Sequence, residues 1–444
     1  MKGLARVLSG ALLWALPAQA QPLVLTLEAA QARALRDNHA LHLVASQIDE
    51  ANALNLQAKA AFLPQVQFSE QVLRSDDAVT TFGLRLRQER FTQAGFALNA
   101  LNQPVALTDY QTSLEVRQSL FAGGADRARH RQAQAGVEGA VLTGAERCQE
   151  VRWQVAEAYW DLVLAGQSLE ALRQSLASAR AHAAAAQARY QQQTSPYAEV
   201  LAAQSRVAQL EGDEVAAASQ ELTAAEQLSL VLGLDSQVQI IPADTLAPVA
   251  VTLSAAELEQ AALEHRPGLR AAAQEVEAAH QGMHQARAGH LPLVQAFARF
   301  DLDSNSPFTR QGESWTLGGV LSWELFSGFR TTAALRQARA RQHQAQLRQE
   351  QLAQQVRRQV RQACRRVETA QLRIGAAAQA HQYAQERLRL ADLHYGQGLI
   401  ATAELLDAED QHTQARLRYL ETLRQLRAGL AYLEYAANQP LTQE

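Results

Sequence analysis

The sequence predicts a mainly α chain with a β-barrel part: long coiled helices, plus four β-strands per chain that complete a shared barrel of roughly twelve strands in a trimer. Three observations carry that expectation. Composition is rich in helix formers, the chain repeats itself, and four short segments alternate with period two between stretches of helical period.

Of the 444 residues, 47% are hydrophobic, 6% aromatic and 19% charged, so the apolar content comes largely from Ala and Leu. That fraction excludes wholesale disorder. Ala, Gln, Arg and Glu lose little side-chain freedom in a helix, and the 11 prolines gather near a few breaks, so a long and mostly helical chain fits better than a large globule. The 41 basic and 45 acidic residues leave a formal charge of -4, with no basic face for nucleic acid and no acidic tail. Only Lys2 and Lys59 are lysines.

Residues 1–20 read as a signal peptide: Lys2 and Arg6 give the positive start, Val7 to Leu16 the short apolar run, and Ala18-Gln19-Ala20 the small-x-small cleavage site. No Cys follows the cut, which argues against a lipid anchor. Beyond residue 20 no run is long and apolar enough for a transmembrane helix, so membrane residence would require a β-barrel. Cys148 and Cys364 are too few for a disulfide framework and read as small packing residues on helices.

The duplication comes in two registers. Leu63-Pro64 matches Leu291-Pro292, an offset of 228 (291 less 63), which also aligns Ala34 with Ala262, Leu41 with Leu269 and Lys59 with Arg287. Leu120-Phe121 matches Leu325-Phe326, an offset of 205 (325 less 120), and that register holds without a gap through Tyr190 and Tyr395 to Leu201 and Leu406. The first copy therefore carries an insertion between about Arg74 and Tyr110. The expected organisation is a first repeat over 21–232, a linker over 233–252, a second repeat over 253–437 and a tail over 438–444.

Stepping by four and three residues from Val151 meets Val155, Ala158, Leu162, Ala165, Leu169, Leu172, Leu176, Ala179, Ala183, Ala186 and Tyr190, all apolar. The same steps from Val356 reach Tyr395 and are interrupted only by His381. A 3.5-residue period implies helices coiled around neighbours, and the many alanines allow close backbone approach. A helix from about Ala125 to Tyr190 would run roughly 100 Å.

Period two appears at Trp315, Leu317, Gly319, Leu321, Trp323 and Leu325, which alternate with small or polar residues; weaker versions lie at Leu114 to Leu120, Val66 to Val72 and Leu293 to Phe300. One face suits lipid and the other water. Each repeat thus supplies two strands and a Phe-x-Gly exit into a long helix. Gly123, Gly124 and Gly328 read as strand-to-helix switches, since no phosphate-binding pattern surrounds them. Four strands cannot close a barrel, and open edges in lipid leave backbone groups unpaired, so copies of the chain must share one. The insertion, with Phe82, Phe91 and Phe96, reads as an outside-facing loop, an extension of the strands, or a segment folded into the barrel mouth.

No Ser-His-Asp order, nucleophile elbow or catalytic acid cluster suggests an enzyme, and no cofactor motif is present. His280 and His284, with His290 nearby, have a spacing that could serve a metal but lack the company of an HExxH motif or a cysteine, and read as surface positions. His381 reads as a core histidine with a satisfied hydrogen bond.

Over essentially the whole mature chain the residues resemble the TolC family of outer-membrane efflux and secretion ducts: the opening LTLEAAQARAL, KAAFLPQV and its echo ARAGHLPLV, the exits QSLFAGG and WELFSGF, and the turns RYQQQTSPYAEVLAAQ and HYGQGLIATAELLDAE. The resemblance implies a trimer whose twelve-stranded outer-membrane barrel continues into a coiled α-helical barrel in the periplasm. It also implies work with an inner-membrane pump and a periplasmic adaptor. On this resemblance Thr194, Ser195, Pro196, Gly398, Leu399 and Ile400 form hairpin tips that face the adaptor. Glu404 and Asp407 line the closed entrance, while Glu199 and Tyr395 join helices in the closed state. Three-residue spacing puts Glu404 and Asp407 on one helical face, and a trimer would gather six carboxylates around one axis, a cation-attracting constriction. Ile400 departs from the family, whose best-known members carry an arginine there that ties this network together. The alternative function is a periplasmic adaptor, or a soluble coiled-coil scaffold. An adaptor would carry one hairpin between split β-domains rather than two matched hairpins and four strands.

Overall fold

A computed structural model describes residues 23–235 and 238–441. The expected signal peptide and the last three residues of the tail lie outside the described residues. The chain divides into two units, one holding residues up to Leu43, Glu146–Arg266 and the chain from Gln355, the other Val44–Ala145 and Pro267–Gln354.

Elements follow the two registers of the sequence. Strand β1 (Leu23–Leu25) precedes helices α1 (Leu27–Asp37) and α2 (His39–Lys59), then β2 (Gln65–Ser75), β3 (Leu107–Ala122), α5 (Ala125–Gln191) and α6 (Tyr197–Leu232), with α3 (Ala78–Arg87) and α4 (Leu98–Asn102) inside the insertion. After β4 (Ile240–Pro242) come α7 (Ala255–His265), α8 (Pro267–Ala288), β5 (Leu293–Ser304), β6 (Gly312–Ser322), α9 (Arg330–Gly396) and α10 (Thr402–Ala437). α9 and α10 begin and end 205 residues beyond α5 and α6, at both ends of both helices.

In the unit that contains the sheet, β2-β3-β5-β6 form a four-stranded antiparallel sheet in that order, so β2 and β6 are its edges. Val66, Phe68 and Val72 on β2 and Trp315, Leu317 and Leu321 on β6 are exposed, Trp315 at 77%. An apolar stripe of that kind needs a non-aqueous cover. β6 ends at Ser322, sooner than the alternation through Leu325 suggests; Trp323 donates its indole N–H to the His290 carbonyl at 3.1 Å, and Glu324 pairs with Arg330 at 2.8 Å, so the chain already turns there. The insertion does not lengthen the strands. It folds as α3, a short turn at Gln93–Phe96 and α4, with edge-on Phe82–Phe91 and Phe91–Phe96 contacts. Fully buried Gln88 ties it to the sheet, its side-chain amide donating to the Thr108 carbonyl at 3.0 Å, Asp109 Oδ1 at 2.8 Å and the Ser304 carbonyl at 3.1 Å.

Backbone bends mark the strand-to-helix exits. Gly123 (φ +62°), Gly124 (φ +87°) and Gly328 (φ +60°) all lie in the left-handed region. A Cβ on Gly123 would stand 2.8 Å from both the Ala288 carbonyl oxygen and Leu291 Cβ, whereas one on Gly328 would meet nothing within 4 Å. Phe329, the counterpart of Gly124, also has positive φ (67°), which its side chain gave no reason to expect.

In the other unit β1 and β4 pair in parallel. Tyr159 of α5 closes them, its hydroxyl standing 2.9 Å from the Leu25 carbonyl and 2.7 Å from Asp244 Oδ2 and sharing its one proton between these acceptors; burial and the Asp244 carboxylate both push the phenol's pKa up. The seam positions Val151, Val155, Ala158, Leu162, Leu169 and Leu176 are buried, as are Val356, Val360, Ala363, Val367, Ala370, Ala391 and Tyr395. Cys364 is buried among them and Cys148 is half-buried, both as free thiols. No described helix is long and apolar enough to cross a membrane.

The far ends of the hairpins are anchored alike. Asn38 donates its side-chain amide to the Val231 carbonyl at 2.7 Å, and its counterpart Arg266 donates to the Ala436 carbonyl at 3.5 Å and to Glu146 at 3.0 Å. Gly233 and its counterpart Asn438 both terminate their helices in the left-handed conformation.

Candidate entrance at the hairpin turns

Both hairpins turn sharply after their long helices. In the first, the chain leaves α5 with Gln193 at φ 59°, and the Thr194 hydroxyl and amide both donate to the Arg189 carbonyl at 3.0 Å. Ser195 reaches forward to Glu199 Oε2 at 2.7 Å, and Pro196, whose φ of -69° suits a helix start, opens α6. In the second, Gly398 takes φ +73° in open space, and the Gly398 and Leu399 amides close the end of α9 by donating to the Tyr395 and His394 carbonyls. Leu399 is exposed, while Ile400 packs on the small cluster of Ala391, Tyr395, Leu405 and Ala408. The first turn is therefore held by hydroxyls, the second by a glycine and apolar packing.

Glu199 and Tyr395 come together, through a residue the sequence did not single out. Buried Thr402, the first residue of α10, donates its hydroxyl to Glu199 Oε2 at 2.8 Å and lies 3.2 Å from the Tyr395 hydroxyl. Arg189 of α5 lies over the Tyr395 ring at 4.1 Å and donates to the Tyr395 carbonyl at 2.7 Å. Helices α5, α6, α9 and α10 are thereby joined within a few residues of both turns. Hydrogen bonds from Ser195 and then Thr402 hold the Glu199 carboxyl below the usual carboxylate range. An arginine thus ties this network although Ile400 cannot; it comes from the first hairpin.

Glu404 and Asp407 are not part of that junction. Both are exposed on α10, with Asp407 paired to Arg387 of α9 at 2.7 Å and accepting from Gln411 at 3.1 Å. Arg387, like Thr402 and Arg189, carried no sequence signal of its own, since single arginines and threonines are common on solvated helix faces.

A second polar junction lies beyond the first. Stepping along α10 from Leu405 by four and three residues places Glu409, His412 and Arg416 on what is otherwise the apolar seam of Leu423, Leu426, Leu430 and Leu433. That run was the available signal. Glu409 is buried, and His182 of α5 approaches its Oε1 at 3.1 Å and Asp392 Oδ1 of α9 at 3.4 Å. His381 stacks on His412 and Tyr419, ring centroids 5.4 and 5.9 Å away, and its Nδ1 finds no hydrogen-bond partner. The expected satisfied core histidine is thus held by stacking. His280 and His284 face each other with Nε2 atoms 3.2 Å apart on an exposed helix face. Among the described residues, no group of three or more His, Cys, Asp or Glu side chains is placed to hold a metal ion.

A twice-written chain with paired coiled hairpins, an open antiparallel sheet and an apolar outer stripe narrows the candidates to ducts that cross an outer membrane. The sequence profile of outer membrane efflux proteins matches residues 31–234 and 258–439, in two blocks. The chain belongs to this outer membrane efflux family. It is an outer-membrane duct of TolC type with a periplasmic extension. It is similar to the alkaline protease secretion protein AprF of Pseudomonas aeruginosa, with 23% identity over 398 residues, 85% of this chain and 78% of the relative. A crystal structure of a membrane protein from Pseudomonas aeruginosa shares the fold at TM-score 0.80 and 22% identity, covering 93% of both chains. The CmeC outer membrane channel of Campylobacter jejuni does so at TM-score 0.79 and 15% identity, covering 93% of this chain and 85% of the other. VceC of Vibrio cholerae does so at 0.77 and 18%, covering 93% and 96%.

Proposed function

We propose that three copies of the chain join edge β2 to edge β6 of the next copy, closing a barrel of about twelve strands in outer-membrane lipid. The observation that carries this reading is the unpaired pair of edges on a sheet with an exposed apolar stripe, because unsatisfied edge groups in lipid cost several kcal/mol each. The repeats at 21–232 and 253–437, linked through 233–252 and followed by the 438–444 tail, are the units that such a barrel multiplies.

The duct is passive and catalyses no reaction. Energy comes from an inner-membrane pump, and a periplasmic adaptor docks on the turns at Thr194-Ser195-Pro196 and Gly398-Leu399-Ile400. Likeness to a protease secretion protein supports protein export among the cargoes of an efflux duct. The entrance is held shut by the Arg189–Tyr395–Thr402–Glu199 junction, while Glu404 and Asp407 supply a ring of carboxylates at the opening. Planar-bilayer recordings of the purified protein test this: stable single-channel current is expected, with block by divalent cations from the entrance side. A protein recovered entirely in the soluble periplasmic fraction, without channel activity, would favour an adaptor or scaffold instead.

A further inference from the structure

Four helices place ionisable groups at the junction around Glu409: His182 from α5, Arg206 from α6, Asp392 from α9 and Glu409 itself from α10. The other titratable or charged groups facing it are Asp410, which pairs with Arg206 at 3.0 Å, and His412 and Arg416, which line the same small cavity of about 200 Å³. Arg416 is turned to Gln174 at 2.6 Å. Burial pushes the His412 and His381 imidazoles down, so these favour their neutral forms.

Glu409 is 6% exposed, yet neither carboxylate oxygen accepts a hydrogen bond; His182 Nε2 is within 3.1 Å but lies off the bonding direction. Asp392 adds a second carboxylate at the same imidazole nitrogen, its Oδ1 3.4 Å from His182 Nε2. An ionised, unsatisfied carboxylate in such a place is costly. Burial and the Asp392 charge, opposed by Arg206, push the Glu409 carboxyl up to about 7.

We propose that Glu409, with His182 and Asp392, is a proton-operated latch between the two hairpins: protonated, it holds α5, α9 and α10 packed, and deprotonated, it favours their separation. This rests on the reading of the nearby turns as the entrance of a duct. The sign follows from linkage. A carboxyl whose packed-state pKa is raised stabilises the packed state fully below its ordinary value of 4.5, and that contribution is lost as pH rises through about 7. Separation lets water reach the Glu409 carboxylate and releases one proton per chain to solvent. With these two values the ratio of separated to packed hairpins rises about tenfold per chain between about pH 6 and pH 8.

The test uses the full-length protein in planar bilayers, with single-channel conductance recorded across that pH interval. Wild type is expected to open as pH rises. Glu409→Gln, nearly isosteric and permanently neutral, is expected to stay in the low-conductance state at both ends. Asp392→Asn removes a charge that raises the Glu409 pKa, so the ionised packed state costs less; the opening midpoint is expected to move to higher pH, with a smaller rise in conductance. An unaltered pH profile in Glu409→Gln, or an unmoved midpoint in Asp392→Asn, would overturn the latch while leaving the duct intact. Absence of current in every variant would count against the duct, and hydrogen exchange of the α10 amides at residues 402–413 then decides the latch. Those amides are expected to lose protection, after correction for intrinsic rate, as pH rises in wild type and not in Glu409→Gln; equal loss in both would refute it. Should Glu409→Gln fail to fold, Asp392→Asn, whose side chain is partly exposed, carries the test alone.

Discussion

Helices α5 and α6 of the first hairpin run over 67 and 36 residues, and α9 and α10 of the second over the same 67 and 36. Tyr190 and Tyr395 close equivalent turns, yet Tyr190 is 41% exposed and Tyr395 only 4%. His182 and Arg387 are likewise equivalent; Arg387 pairs within its own hairpin with Asp407, while His182 reaches across to Glu409 and Asp392 of the other. Duplication has kept backbone lengths, bends and helix ends, and has let side chains diverge where the hairpins meet. The first hairpin supplies groups that grip the second, and the second supplies the exposed carboxylates Glu404 and Asp407. If these turns are the entrance proposed above, one hairpin can release the other without either unfolding.

Seven substitutions, in four sets, test that contrast. The largest effect is expected at the strand-to-helix exits. Gly123→Ala meets both positive φ and backbone at 2.8 Å, and should abolish the oligomer proposed above, read on unheated gels; Gly328→Ala meets only the backbone penalty of about 1 kcal/mol and should leave it. Equal loss in both would show that the two exits are under the same constraint. Next, Tyr159→Phe should lower stability by about 1–3 kcal/mol in denaturant titration, because Asp244 and the Leu25 carbonyl lose a buried donor. Its counterpart Cys364 makes no such bond, and Cys364→Ala should cost about 1 kcal/mol.

Smaller again is Thr402→Val, which removes the hydroxyl between Glu199 and Tyr395. We expect more frequent opening in bilayers and a stability loss of about 1 kcal/mol. It also carries a pH signature opposite to that of Glu409. The Glu199 pKa is lowered, so its contribution is present above its ordinary 4.5 and lost as pH falls through the lower folded value; Thr402→Val should shrink that acid-side dependence. The smallest effect on folding belongs to Glu404→Ala with Asp407→Ala, both exposed. Stability should stay within about 0.5 kcal/mol while divalent block of the current weakens. Unchanged block would remove these carboxylates from the entrance.

Much of the backbone could be read from the residues, because periods of 3.5 and 2 and a repeat in register are direct consequences of which faces are covered. Seam positions such as Val155 and Val360 are buried as their spacing required. The insertion was harder to read, since Phe82, Phe91 and Phe96 form a small cluster of their own and follow neither period. The junctions at the turns were legible only in part. Glu199 and Tyr395 could be named, but Thr402, Arg189 and Arg387 act across helices, and their pairing depends on how two hairpins align in space. Glu409, His412 and Arg416 did leave a trace, as three polar residues on an apolar seam.

On the proposed assembly, one chain holds only a fraction of the barrel and its free edges are completed by other copies. Native mass measurement of the unheated, detergent-purified protein tests it most directly. A particle of three chains that conducts in bilayers is expected; a conducting or membrane-resident particle of a single chain would rule out the shared barrel.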